Sequence, residues 1–168
     1  AFVKAADVPS MGTYDLGVLA MICESLADPK WRPLLTRAVQ RLVDMQGEDG
    51  SWGYGVETPA DEPSTEKIEE TPKTKSKRIR ITGGHPIGET APATGLKRRM
   101  DWSKGESAGD RSVSQYAILG LFSGHRAGVT VDPETWKRAR KFFLEAQNED
   151  GGWGYKGEEF KESYGSMT

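Results

Sequence analysis

Five side chains are placed where a ligand could be met inside the protein: Tyr14, Asp15, Gln115, Tyr116 and His125. Each lies in a strongly apolar segment, and the repeat resemblance drawn below implies that the set could line an inner cavity. Tyrosine rings present a negative face to a cation, a developing carbocation included. His125 falls near the predicted C-terminal end of its segment, where a helix dipole favours positive charge. Packing and capping are the simpler explanation of the same five residues, with the cavity lining as the sharper alternative. Cys23 reads as a small buried hydrophobe, and His85 as a solvated loop residue. Asp49 and Asp150 resemble calcium ligands by type, but each precedes Gly, and Asp-Gly is first of all a turn. No Gly-rich phosphate loop, His-Glu-x-x-His pair or nucleophile elbow is present. Catalytic residues therefore stay unassigned, and neither a cofactor nor a metal is expected.

The elements that must position these residues announce themselves by repetition. Gln46-Gly47-Glu48-Asp49-Gly50-Ser51-Trp52-Gly53-Tyr54 recurs as Gln147-Asn148-Glu149-Asp150-Gly151-Gly152-Trp153-Gly154-Tyr155, with seven of nine positions identical at an offset of 101. The match runs back through Arg37-Ala38 and Arg138-Ala139 without a gap. Two predicted helices precede each copy. Residues 14–26 and 112–126 are apolar on nearly every side, the pattern of helices buried on more than one face. The second helix of each pair is amphipathic: Leu35, Ala38, Leu42 and Met45 in one, Trp136, Ala139, Phe143 and Ala146 in the other, each with one wet face. Asp132-Pro133 supplies an N-cap and a Pro at the first position, and Pro33 opens the earlier helix. Both amphipathic helices end at an Asp-Gly turn. A fully buried helix followed by a half-buried one, repeated, predicts an all-α wall of two layers.

Composition sets bounds on partners. The chain has 168 residues, 25 acidic and 23 basic, with a formal net charge of -2. That balance makes no electrostatic case for nucleic acid. No apolar run reaches the ~20 residues of a membrane-spanning helix. One Cys excludes an internal disulfide, and residues 1–12 show no signal-peptide pattern.

The organisation follows from the repeat. Residues 1–12 connect from a preceding segment, 13–55 form the first helix pair, and 112–156 form the second. Residues 157–168 resemble the lead-in to a further pair. Residues 56–111 interrupt the pattern with few apolar side chains, and Trp102 is their sole aromatic residue. Residues 57–70 hold six acids and one Lys, and residues 73–80 hold five bases. This stretch reads as a solvated surface excursion, in which Lys75–Thr82 alternates like a short strand and a small β-hairpin has room to form. A basic strip that meets an anion or neutralises the adjoining acids is the sharper alternative. Two helix pairs are fewer than the three or more repeats a stable stack usually needs. The expectation is a segment of a longer protein or an assembly closed by association.

The duplicated stretch resembles the QW motif of the squalene cyclase and prenyltransferase repeat superfamily. Arg138, Ala139, Phe142, Leu144, Gln147, Gly151 and Trp153 fill that pattern. Arg37, Ala38, Leu42, Val43, Gln46, Gly50 and Trp52 fill it with Leu for the aromatic residue. Asp110–Leu121 looks like an inner helix of bacterial proteins of this type. The resemblance implies an α/α toroid of inner and outer helices. It makes Gln46, Trp52, Gln147 and Trp153 structural braces between repeats, the Gln amide bonding a neighbouring helix end and the Trp ring stacking over it.

The family's chemistries do not carry over. The Asp-x-Asp-Asp acid of terpenoid cyclases has no counterpart, Asp61-Glu62 being an isolated acidic pair in the excursion. Prenyltransferase β subunits bind zinc with an Asp two residues before a Cys, where Cys23 has Met21. Thioester domains need Cys-Gly-Glu-Gln, against Cys23-Glu24-Ser25-Leu26 here. The expected function is a toroid module that binds or scaffolds. Its partner would be the remainder of the toroid, a second copy, a protein or a hydrophobic ligand. A terpenoid cyclase segment whose acid motif lies elsewhere, or a carbohydrate-active α/α toroid, are the alternatives.

Overall fold

The computed structural model describes residues 8–59, 65–67, 94–155 and 163. These residues are mostly helical: α1 (Thr13–Leu26), α2 (Arg32–Met45), α3 (Arg111–Arg126) and α4 (Pro133–Glu145). Three short strands accompany them, β1 (Thr65–Lys67), β2 (Thr94–Leu96) and β3 (Thr130–Val131).

The helices start where their caps dictate. The Asp110 carboxylate accepts from the Val113 amide at 2.7 Å, and Asp132 accepts from the Glu134 amide at 2.9 Å, with Pro133 in the first position. Each satisfies a donor that a helix N-terminus leaves without an intrahelical partner. Pro33 lies in the first turn of α2, which begins one residue earlier, at Arg32.

Helices α1 and α3 lie side by side and approach closely because glycines face each other. A Cβ at Gly120 would stand 2.8 Å from the Gly17 Cα, and one at Gly17 would stand 2.5 Å from the Tyr116 carbonyl oxygen. Any larger residue at either position forces the helices apart. At the far end an ion pair of 2.9 Å joins Arg126 to Glu24. Helix α2 backs onto both, and Leu16, Leu19, Leu42 and Leu121 are wholly buried between the three. Each such side chain contributes about 1.5–3 kcal/mol on leaving water. The cover of α1 and α3 is nevertheless incomplete. Val18, Leu119 and Phe122 are each 38–40% exposed, so the near-continuous apolar runs overstate how enclosed these helices are.

The wet face expected for α2 is absent. Leu35, Ala38, Leu42 and Met45 are buried as the spacing requires, but Gln40, Arg41 and Asp44 are buried with them. Arg41 meets the Met11 carbonyl at 3.3 Å, and Gln40 and Asp44 are covered by the last part of the stretch read as a solvated excursion. Residues 94–101 return across the polar side of α2 and bond to it. Asp44 Oδ1 accepts from the Arg99 amide at 2.8 Å, and Oδ2 accepts from the Arg99 guanidinium at 2.6 and 2.8 Å. Gln40 donates to the Lys97 carbonyl at 2.8 Å. Arg98 donates to the Val43 carbonyl at 2.8 Å, satisfying a carbonyl in the last turn of α2. Leu96 is fully buried. The Trp102 ring receives Arg98 at 4.3 Å and Arg138 of α4 at 4.0 Å, which ties the returning arm to the second helix pair.

The arm's strand, β2, is the middle strand of a small sheet. β2 pairs antiparallel with β1, Thr65 opposite Leu96, and parallel with β3, Leu96 opposite Val131. A paired β segment thus forms at the two ends of the excursion. The strand anticipated over Lys75–Thr82, together with His85 and the Asp61-Glu62 pair, lies outside the described residues.

A buried carboxylate stripped of its guanidinium partner is strongly destabilising. Arg99→Ala is expected to lower stability by about 3–5 kcal/mol in urea unfolding followed by circular dichroism. A change below about 1 kcal/mol would mean that Asp44 is solvated. Excising 57–100 uncovers Gln40 and Asp44, and is expected to lower the unfolding midpoint sharply, whereas a harmless surface loop would leave it unchanged.

Candidate functional site: two tryptophan corners and a tyrosine rim

The nine-residue echo folds into the same corner twice. In the first, Gly47 N donates to the Ser51 carbonyl at 2.9 Å and Gly50 N to the Gly47 carbonyl at 3.0 Å. In the second, Asn148 N donates to Gly152 and Gly151 N to Asn148, both at 2.9 Å. Gly50 and Gly151 take φ of +89° and +85°, a region costly to any residue with a Cβ. Each Asp bonds its own turn and one residue beyond it, Asp49 accepting from Ala108 N at 2.8 Å and Asp150 from Ser163 Oγ. Asp49 accepts from Ser51 N and Asp150 from Gly152 N, both at 3.0 Å. Each indole N–H reaches ten residues back, Trp52 to the Leu42 carbonyl and Trp153 to the Phe143 carbonyl, both at 2.7 Å. These carbonyls lie in the last turns of α2 and α4, where helix bonding runs out.

The two corners differ in what sits on them. Trp52 is fully buried. Its backbone amide donates to Ser114 Oγ on α3 at 2.9 Å. The Gln46 amide donates to the Gly50 carbonyl at 3.0 Å and across to the Thr135 carbonyl in the first turn of α4 at 3.1 Å. Arg138 of α4 donates to the Glu48 carbonyl at 2.8 Å. Gln46 and Trp52 therefore join one helix pair to the next through the amide's donor side, while Gln46 Oε1 is buried without a bond. Gln147 donates to the Gly151 carbonyl of its own corner at 2.6 Å and is exposed, and Trp153 is half-buried. Among the described residues, Ser163 reaches this second corner, accepting from Asn148 Nδ2 at 3.0 Å and donating to Asp150 at 2.6 Å.

Each corner ends in a tyrosine whose carbonyl caps a helix, α1 or α3. Tyr54 accepts from Thr13 N at 2.9 Å and Tyr155 from Arg111 N at 3.1 Å. The Tyr54 ring meets that of Tyr14, and Tyr155 reaches Tyr54 through its hydroxyl, so the tyrosines form a rim at the N-terminal ends of α1 and α3. Tyr14 is the centre. Its ring lies 5.0 Å from Tyr116 at an interplanar angle of 65°, and 6.1 Å from Tyr54 at 52°. Its hydroxyl bonds Ser112 Oγ at 2.7 Å, and the Tyr54 and Tyr155 hydroxyls are 3.4 Å apart. The bond to Tyr54 and the negative charge of Asp110 push the Tyr155 phenol above the ordinary tyrosine range. Glu106 accepts from Gly55 N at 3.0 Å, which brings a third carboxylate beside Asp15 and Asp110.

Of the sequence-derived lining set, Tyr14 and Tyr116 touch, and Asp15 lies beside them, exposed. Gln115 is half-buried on α3. His125 is nine residues beyond Tyr116, about 13.5 Å along the helix axis, exposed and stacked near Phe122 at 6.5 Å. It belongs to the opposite end. Tyr54 and Tyr155 complete the rim. They stand in the echo itself, where their repetition was visible but their rings were assigned no role. Burial raises the Cys23 thiol above its ordinary pKa, as expected of a packed hydrophobe. No group of three His, Cys, Asp or Glu side chains among the described residues is arranged to hold a metal ion. No described helix is long and apolar enough to cross a membrane.

No protein-family model, curated protein or solved structure matches this chain.

The unequal burial of equivalent indoles gives a measurable difference. Trp52→Ala is expected to cost about 3–5 kcal/mol, as for fully buried aromatics, and Trp153→Ala about half as much. Thermal or urea unfolding of the two variants checks it. Equal losses would show the second corner to be as enclosed as the first.

Proposed function

We propose that this chain is part of an α/α toroid of the squalene cyclase and prenyltransferase-like type, serving as a binding or scaffolding module. The tyrosine rim is its contact face. The observation that carries the reading is the duplicated Trp corner. Each copy closes a helix pair and presents a tyrosine beside an inner helix, so every repeat adds to the wall and to the rim together. The second corner supports continuation of the wall. Trp153 is half-buried, and Leu119, Phe122 and Leu144 are 39–51% exposed. These are surfaces that a further helix pair, from the same protein or from a second copy, would cover.

Large aromatic residues with a polar tip make effective contact surfaces at small entropic cost. The rim therefore suits recognition without any requirement for bond-making groups.

A terpenoid cyclase segment is the second reading, favoured by the aromatic residues between inner helices. The two readings separate on one experiment. The full-length protein incubated with squalene or a prenyl diphosphate is expected to return it unchanged by gas chromatography and mass spectrometry. A cyclic product would replace the scaffold reading with the cyclase one.

A further inference from the structure

Four of the chain's five tyrosines, Tyr14, Tyr54, Tyr116 and Tyr155, gather at one place on the wall. Two of them come from equivalent corners 101 residues apart, and their phenol oxygens are 3.4 Å from each other. These two are also the most open, Tyr54 at 59% and Tyr155 at 40% exposure. Tyr14 and Tyr116 are half-buried against each other.

The backbone fixes this meeting. Tyr54 is held to the start of α1 and Tyr155 to the start of α3 through their carbonyls, and α1 and α3 stand at glycine contact. The side chains keep more freedom, since a ring largely in solvent turns about two torsions. The carbons ortho to each hydroxyl lie one bond beyond the carbon that bears it, so ring rotations bring ortho carbons of the two residues together.

Phenols this close can react as a pair when oxidised. Loss of an electron makes a phenol strongly acidic, so a proton acceptor must be at hand. Each hydroxyl of the pair has the other, and the Asp110 carboxylate acts on Tyr155 closely enough to raise its pKa. Tyr14 meets Tyr54 at 6.1 Å and Tyr116 at 5.0 Å between ring centroids. An electron lost from either half-buried ring can therefore be replaced from Tyr54, which leaves the radical at the exposed pair.

We propose that Tyr54 and Tyr155 are an oxidative cross-linking site, at which a one-electron oxidant of the peroxide-driven peroxidase class joins the two corners as dityrosine. Each phenol gives up one electron and one proton as its O–H bond breaks. The two radicals form a carbon–carbon bond between ortho positions, and the hydrogens on those carbons move to the oxygens. One hydrogen peroxide is reduced to two waters for each link, and the protein loses two hydrogens. The link closes a loop from residue 54 to residue 155, which removes freedom from the unfolded chain. It staples the first helix pair to the second. This inference goes beyond the contact-face reading and does not rest on it.

The 168-residue chain is treated, dilute and folded, with hydrogen peroxide and a haem peroxidase. A monomer with the blue fluorescence of dityrosine is expected. Its proteolytic digest is expected to contain one pair of peptides joined through Tyr54 and Tyr155, two hydrogens lighter than their sum by mass spectrometry. Tyr54→Phe and Tyr155→Phe each remove only an exposed hydroxyl, and are expected to keep the helical circular dichroism and lose that joined pair. The unsubstituted chain oxidised in urea is expected to lose it as well, because folding is what brings the two residues together. The linked monomer is expected to unfold at a higher urea concentration than the unlinked one. Links only between separate molecules, a joined pair through Tyr14, Tyr116 or Tyr164 instead, or no linked monomer at all would overturn the assignment. So would a link that survives in urea or in either Phe variant, or an unchanged unfolding midpoint. Any of these leaves the toroid reading standing, and a cyclised product would remove that reading without touching this one.

Discussion

The structure depends on the Trp52 corner. Its indole N–H closes the last turn of α2, its backbone amide meets Ser114 at the start of α3, and the neighbouring Gln46 amide reaches the first turn of α4. Three helix ends converge on one tight turn. Helix ends are where backbone groups lack intrahelical partners, so gathering them solves several satisfaction problems with one set of bonds. The burial of the large indole then makes this economical geometry stable. The first corner holds both α1 and α3, Tyr54 accepting from Thr13 N and Trp52 N donating to Ser114 Oγ, beside the glycine contact between the two helices.

The same turn produces the rim. Because Tyr54 and Tyr155 present their carbonyls to Thr13 and Arg111, their side chains are held beside the first turns of α1 and α3. Tyr14 and Ser112 are in those turns. The packing of the wall and the composition of the exposed face are therefore one arrangement seen from two sides. A change that loosens a corner also disperses the rings.

The helices and corners were legible in the sequence because their signals are local: apolar spacing, Asp and Pro at the starts, and a nine-residue echo. The fate of the polar side of α2 was not. Gln40, Arg41 and Asp44 have the pattern of a solvated face, and nothing within the helix says that residues 55–57 positions later cover it. A comparison of the two copies carried a faint clue. The positions matching Gln40 and Asp44 in α4 are Lys141 and Glu145, whose side chains face water and pair at 3.7 Å. At these two positions Lys and Glu occupy the helix that stays wet, and Gln and Asp the helix that is covered. The site was half legible. Tyr14, Asp15 and Tyr116 were chosen from their helices, but helix membership cannot tell one end from the other, so His125 was grouped with them. Tyr54 and Tyr155 were missed because a repeated aromatic residue in a turn reads as structure first.

The covering of α2 also bears on how the chain acquires its shape during synthesis. When the first helical hairpin leaves the ribosome, the groups that neutralise Asp44 and occupy Gln40 have yet to be made. Contacts closed over such a separation are slow to form and add little until the intervening chain is complete. The hairpin at the amino end therefore waits, with an uncompensated carboxylate on the side that will become interior, until the arm carrying Lys97, Arg98 and Arg99 arrives. The α1–α2 pair thus depends on a contact from a distant part of the chain, unlike the neighbour-by-neighbour contacts of a simple repeat array.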